Sequence, residues 1–143
     1  LAVVLATLVL SGCGEGGVSS GAAVSVYVAA PLCAAARKEL RRVGPRVGEL
    51  TVRAVCLPAV ASRGGVDLAA AGADARRATE DSTAVAFLEA AGAAVPFSRS
   101  IVESADIAWI QAGSGAAAIH EVLGALERRG SSSPRSAVLD QVG

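Results

Sequence analysis

An open, mostly parallel α/β sheet wound with helices on both faces is the fold class this sequence predicts. Three observations predict it. Short runs rich in valine, isoleucine and leucine alternate four times in succession with amphipathic stretches, the rhythm of strand and crossover helix. The third run, Thr83-Ala84-Val85-Ala86-Phe87-Leu88, is almost continuously apolar, as a strand covered on both faces should be. The segment from 23 to 130 is long enough for one hydrophobic core and no more.

The chain opens LAVVLATLVL. This run is too short to cross a bilayer, which takes about 20 apolar residues. It has the length of a signal-peptide h-region, and Ser11 and Gly12 are the small residues at which processing occurs. Leu10-Ser11-Gly12-Cys13 resembles the bacterial lipobox, whose cysteine becomes the lipidated first residue of the mature protein. The expected organisation is therefore a lipoprotein signal peptide over 1–13 and a flexible, glycine-rich tether over 14–22. A folded lobe over 23–130 and a tail over 131–143 follow. Cys13 would hold the protein on the outer face of the cell membrane through its lipid.

Within the lobe, residues 24–29 are β-branched and aromatic, and Pro31 closes them as a strand. Over 32–43, Leu32, Ala35, Ala36, Leu40 and Val43 recur at helical spacing, opposite Arg37, Lys38, Arg41 and Arg42. Gly44-Pro45 stops that helix. Residues 50–57 alternate at period two, a second strand, and 58–65 read as loop. A helix over 67–80 places Leu68, Ala71, Ala75 and Ala78 on one side. The third strand, 83–88, turns at 90–92 into a helix with Pro96 in its first turn, where proline is tolerated. Residues 107–110 are the fourth strand, 111–115 a turn, and 116–129 a helix built on Ile119, Val122, Leu123 and Leu126. Ser131-Ser132-Ser133-Pro134 is a break, and 137–139 fit either a short strand or a helical turn.

Composition excludes several function classes. Thirteen basic and thirteen acidic residues give a net charge of zero, without the basic face that nucleic acid requires. Tyr27, Phe87, Phe97 and Trp109 are the aromatics, too few for a stacking platform. With Cys13 assigned to lipid, Cys33 and Cys56 remain. Export makes a disulfide between them the expectation, the alternative being two separately buried thiols.

Ligands of such sheets bind beyond the carboxyl ends of the strands, which points to the turns at 30–33, 58–65, 89–93 and 111–115. The first of these holds no glycine, so neither a dinucleotide fingerprint nor a phosphate loop is present there. Ala112-Gly113-Ser114-Gly115-Ala116 has the outline of a nucleophile elbow. The single histidine, His120, sits six residues on along the same helix, where an imidazole does not readily turn back to the hydroxyl. No catalytic residue, metal site or cofactor is expected.

Binding remains. Gln111, Gly113, Ser114 and Gly115 open a helix with small residues and free N–H groups, which attract a carboxylate. Glu89, Ala91 and Gly92, at the end of the neighbouring strand, would hold an ammonium through the Glu89 carboxylate or backbone carbonyls. Together they suit a small zwitterion. The competing reading is that small residues merely let helix and strand pack closely, and from the residues alone the two stand level.

VSVYVAAPLCAAARKEL, EDSTAVAFLEA and FSRSIVESADIAWIQAGSGAAA, in that order, resemble type I periplasmic solute-binding proteins of the leucine/isoleucine/valine-binding branch. The resemblance runs from about residue 24 to 129. It implies a flavodoxin-like N-terminal lobe that binds a branched-chain amino acid and delivers it to an ABC transporter permease. It also implies carboxylate contacts from the turn carrying Gln111, Gly113, Ser114 and Gly115, and further contacts from Ala91 and Gly92. The family closes two lobes on its ligand, and 23–130 accounts for one. The alternative is a one-lobe lipoprotein that serves as an interaction module and binds no small molecule.

Overall fold

The computed structural model describes residues 22–62 and 64–142. The expected signal peptide, Cys13 and the tether as far as residue 21 lie outside them.

Among the described residues five strands form one sheet, in the order β2 (Arg46–Val47), β3 (Leu50–Cys56), β1 (Ala23–Val28), β6 (Ala84–Glu89) and β7 (Ala108–Gln111). Its parallel members are β1, β3, β6 and β7. The two-residue β2 adds an antiparallel edge beside β3. A second hairpin, β4 (Ala61–Ser62) with β5 (Gly65–Val66), occupies the segment expected to be loop. The predicted α/β alternation is thus present, with two short hairpin additions whose two-residue strands are too brief to leave a period.

Among the described residues five helices cover the sheet: α1 (Ala30–Val43), α2 (Leu68–Glu80), α3 (Val95–Glu103), α4 (Gly115–Glu127) and α5 (Pro134–Val142). Among the described residues no helix is long and apolar enough to cross a membrane. Each start follows local chemistry. Pro31 lies in the first turn of α1, where its fixed φ fits and its missing N–H is not needed. Asp67 caps α2 by accepting the Ala70 N–H at 3.0 Å. Ser133 does the same for α5, from Ser136 N–H at 3.2 Å. Gly44, at φ 93°, ends α1 in a conformation that costs other residues strain.

Two cores result. On one face Val26, Val28 and Leu88 pack with Leu32, Ala36 and Leu40 of α1, Ile119 and Val122 of α4, and Val138 of α5. On the other, Tyr27, Phe87 and Trp109 pack with Ala75 and Ala78 of α2 and Val102 of α3. All six residues of β6 are buried, as a central strand's continuous apolar run requires.

The region 131–143, expected as a tail, carries α5, which belongs to the core. Val138 is fully buried, and Arg135 donates to Ala84 O at 2.9 Å and to Asp81 O at 3.2 Å. The guanidinium thereby caps two carbonyls at the entrance of β6, of which Asp81 O also accepts the Ala84 N–H.

Cys33 and Cys56 lie at disulfide distance, with Cα atoms 5.6 Å apart. They join the first turn of α1 to the last residue of β3, both at the carboxyl edge of the sheet.

Candidate functional site

The chain leaves β1 toward β3 through α1, then crosses through α2 to the opposite side of β1 to form β6. Strand order therefore reverses at β1, and α1 and α2 cover opposite faces. A crevice opens at such a reversal because the two connections diverge there. Here it holds a cavity of about 100 Å³. Its walls are Ala29, Ala30 and Pro31 after β1, residues 57–61 after β3, Ala71 and Asp74 of α2, and Phe87 and Glu89 of β6. The Cys33–Cys56 pair ties together the two segments that supply the first of these walls.

Glu89 is the chemically distinctive member. It closes β6 and is only 8 % exposed. The register sets Phe87 opposite Trp109 and Glu89 opposite Gln111. Alternation puts Phe87 and Glu89 on the same face of β6. Trp109 Nε1 donates to Glu89 Oε2 at 2.9 Å. Ser98 Oγ of α3 lies 2.8 Å from each carboxylate oxygen and 2.9 Å from Ala94 O. A hydroxyl has one proton to give, so Ser98 serves the carboxylate or the carbonyl at any moment. No lysine or arginine forms an ion pair with Glu89 among the described residues. The nearby Arg99 guanidinium lies over the Trp109 ring instead, 5.1 Å from its centroid. Asp74 is the second acid of the cavity. Burial pushes its carboxyl above the ordinary aspartate range, with Arg77 acting weakly the other way.

The sequence expected Glu89 in a site with six other residues. Of these, none lines the cavity. Ala91 and Gly92 are exposed in the turn after β6, and Gln111 and Gly113 are exposed around the end of β7. Ser114 is the cap of α4, its hydroxyl accepting the Ala117 N–H at 3.5 Å. Gly115 is buried against α1, and a Cβ there would run into Leu32 O and Ala36 N. For this glycine close packing is the physical reason, and α4 lies on the face opposite the helices beside Glu89. His120 is exposed and pairs with Glu39 across the α1–α4 contact. Arg42 beside Glu39 holds that carboxyl down at about 2, and His120 adds to the effect.

Three of the four turns singled out do reach the cavity, through Ala30 and Pro31, residues 58–61, and Glu89. Asp74, Ser98 and Trp109 were not foreseen. A signal for the last was available, since a buried indole N–H needs an acceptor and Glu89 closes the adjacent apolar run. No family model matches this chain, and neither do the curated proteins or the solved structures with which it was compared.

Proposed function

We propose that this chain is a non-catalytic solute-binding lobe, held at the outer face of the membrane through lipid on Cys13. In this reading it presents small solutes of the amino-acid class to an ABC-type permease. The observation that carries the binding role is the apolar cavity at the reversal of strand order, with one buried carboxylate in its wall. Concave apolar space with a few placed polar groups is what small-molecule sites offer. The anchor and the transport role rest on the lipobox and the sequence resemblance. Titrating the ¹⁵N-labelled protein with small branched solutes tests binding. Amide shifts at Ala30, Ala59 and Phe87 are expected, and a titration that moves none of them would remove the binding role. Intact mass of the protein from its native membranes tests the anchor, with an acylated species beginning at Cys13 expected.

One observation favours a second reading, an interaction module without a small ligand. Phe97 and Leu68 are about half exposed, at 45 % and 48 %, and the Phe97 ring rests on Gly72, one turn along α2 from Leu68. This reading predicts that Phe97→Ser abolishes partner capture and leaves solute titrations flat.

A further inference from the structure

We infer that the cavity is a site for a small alkylammonium: a monocation with a short branched apolar body, its charged end at Glu89 and Asp74. This deepens the binding role proposed above and rests on it. Among the described residues both ionisable groups in the wall are acids, and no lysine, arginine or histidine lines it. The remaining surface is apolar, from Leu57, Val60, Ala71 and Phe87. A carboxylate offers about four acceptor positions. Glu89 receives at most two protons, from Trp109 and Ser98, both neutral donors. Burying a charge without a counter-charge is unfavourable, and an ammonium brings both the opposite charge and three donors. The α1 end of the cavity does little to invite an anion. Pro31 has no N–H, and the Leu32 N–H is given to Ala29 O at 3.0 Å. A volume of about 100 Å³ limits the guest to a handful of heavy atoms.

Four probes separate the possibilities: isobutylammonium, its neutral isostere isobutanol, the anion 3-methylbutanoate, and valine, which carries both charges. Calorimetry and amide shifts are read on the intact chain, its Glu89→Gln variant and its Asp74→Asn variant. Isobutylammonium is expected to bind about tenfold or more tighter than isobutanol, as charge-assisted hydrogen bonds imply. Glu89→Gln should erase that preference, and Asp74→Asn should reduce it with the fold intact. Isobutanol or 3-methylbutanoate binding as well as the amine would overturn the ammonium assignment and keep the cavity as a solute site. Valine binding more tightly than isobutylammonium would overturn it too, in favour of a zwitterion site. If no probe moves the cavity amides, both this inference and the binding role fall.

Discussion

Reduction of the Cys33–Cys56 pair should lower stability by an amount the chain itself sets. The two cysteines are 23 residues apart in sequence. In the chain-entropy treatment a loop of that size removes roughly 11 cal/mol/K from the unfolded ensemble, or about 3.4 kcal/mol at 25 °C. For a domain of this size the urea dependence is about 1.5 kcal/mol/M, so the midpoint should fall by about 2 M when reductant is present. The assay is urea unfolding followed by far-UV circular dichroism, with and without a phosphine reductant, beside the Cys33→Ala/Cys56→Ala protein. The dependence on urea should also steepen, because the unlinked unfolded chain expands further. The double variant should match the reduced wild type to within about 1 kcal/mol, the remainder being the buried Cys33 side chain. A midpoint shift below about 0.5 M would refute the reasoning, because loop-closure entropy would then not be what the pair contributes. Because the pair joins two walls of the cavity, isobutylammonium binding should weaken along with stability.

Gly115→Ala should destabilise by about 1–3 kcal/mol or more, because the obstacles are backbone atoms of α1 that no rotamer change removes. Gly113→Ala, with open space around it, should stay within about 0.5 kcal/mol, and thermal melts of the two compare them directly. Ser114→Ala should cost about 0.5–1 kcal/mol for the lost cap and leave isobutylammonium affinity unchanged. A loss of affinity would put Ser114 on the ligand. Burial works to raise the Asp81 carboxyl, but hydrogen bonds from Thr83 and Tyr27 outweigh it and hold the group below the ordinary range. Its contribution is therefore complete above about pH 4 and lost as pH falls through the depressed value. Asp81→Asn should flatten that acid limb in melts recorded from pH 6 to pH 2.

The alternation of strand and helix was legible because burial imposes a period on residues that must face a core. The ends of elements were less so, for a physical reason. Glu89 and Gln111 read as turn residues because they are polar and follow apolar runs. In a parallel sheet the last residue of a strand sits at the rim, where a polar side chain is allowed, and both are in the ladder. Helix α5 was legible only as one of two readings of 137–139, a short strand or a helical turn. Its serine-rich start looks like a break, and residues 137–139 are too few to show a period. What holds the helix is tertiary: Val138 in the core and Arg135 on the carbonyls of Ala84 and Asp81. The glycine and serine of the 111–115 turn carried two readings in sequence. The packing of Gly115 on Leu32 and the capping by Ser114 give each a structural reason, which only the approach of α1 and α4 reveals.

Glu89 sharpens the distinction between what the fold needs and what a ligand would need. A glutamine of the same shape would complete the network around it. Its carbonyl would accept from Trp109 Nε1, its amide would donate to Ser98 Oγ, and Ser98 would give its own proton to Ala94 O. The amide would then have its oxygen and one of its two N–H groups matched, with no buried charge to desolvate. The carboxylate instead sets two acceptor oxygens against one indole N–H and one shared hydroxyl, and among the described residues it forms no ion pair. On this argument the uncharged amide costs less to bury than the carboxylate. Glu89→Gln should therefore melt at or above the wild-type temperature at pH 7 while losing its preference for the ammonium. A fall of several degrees in the melting temperature would mean that the charge itself holds α3 against the sheet. Glu89 would then be a structural residue, and the case for a ligand would have to rest on the cavity and Asp74 alone.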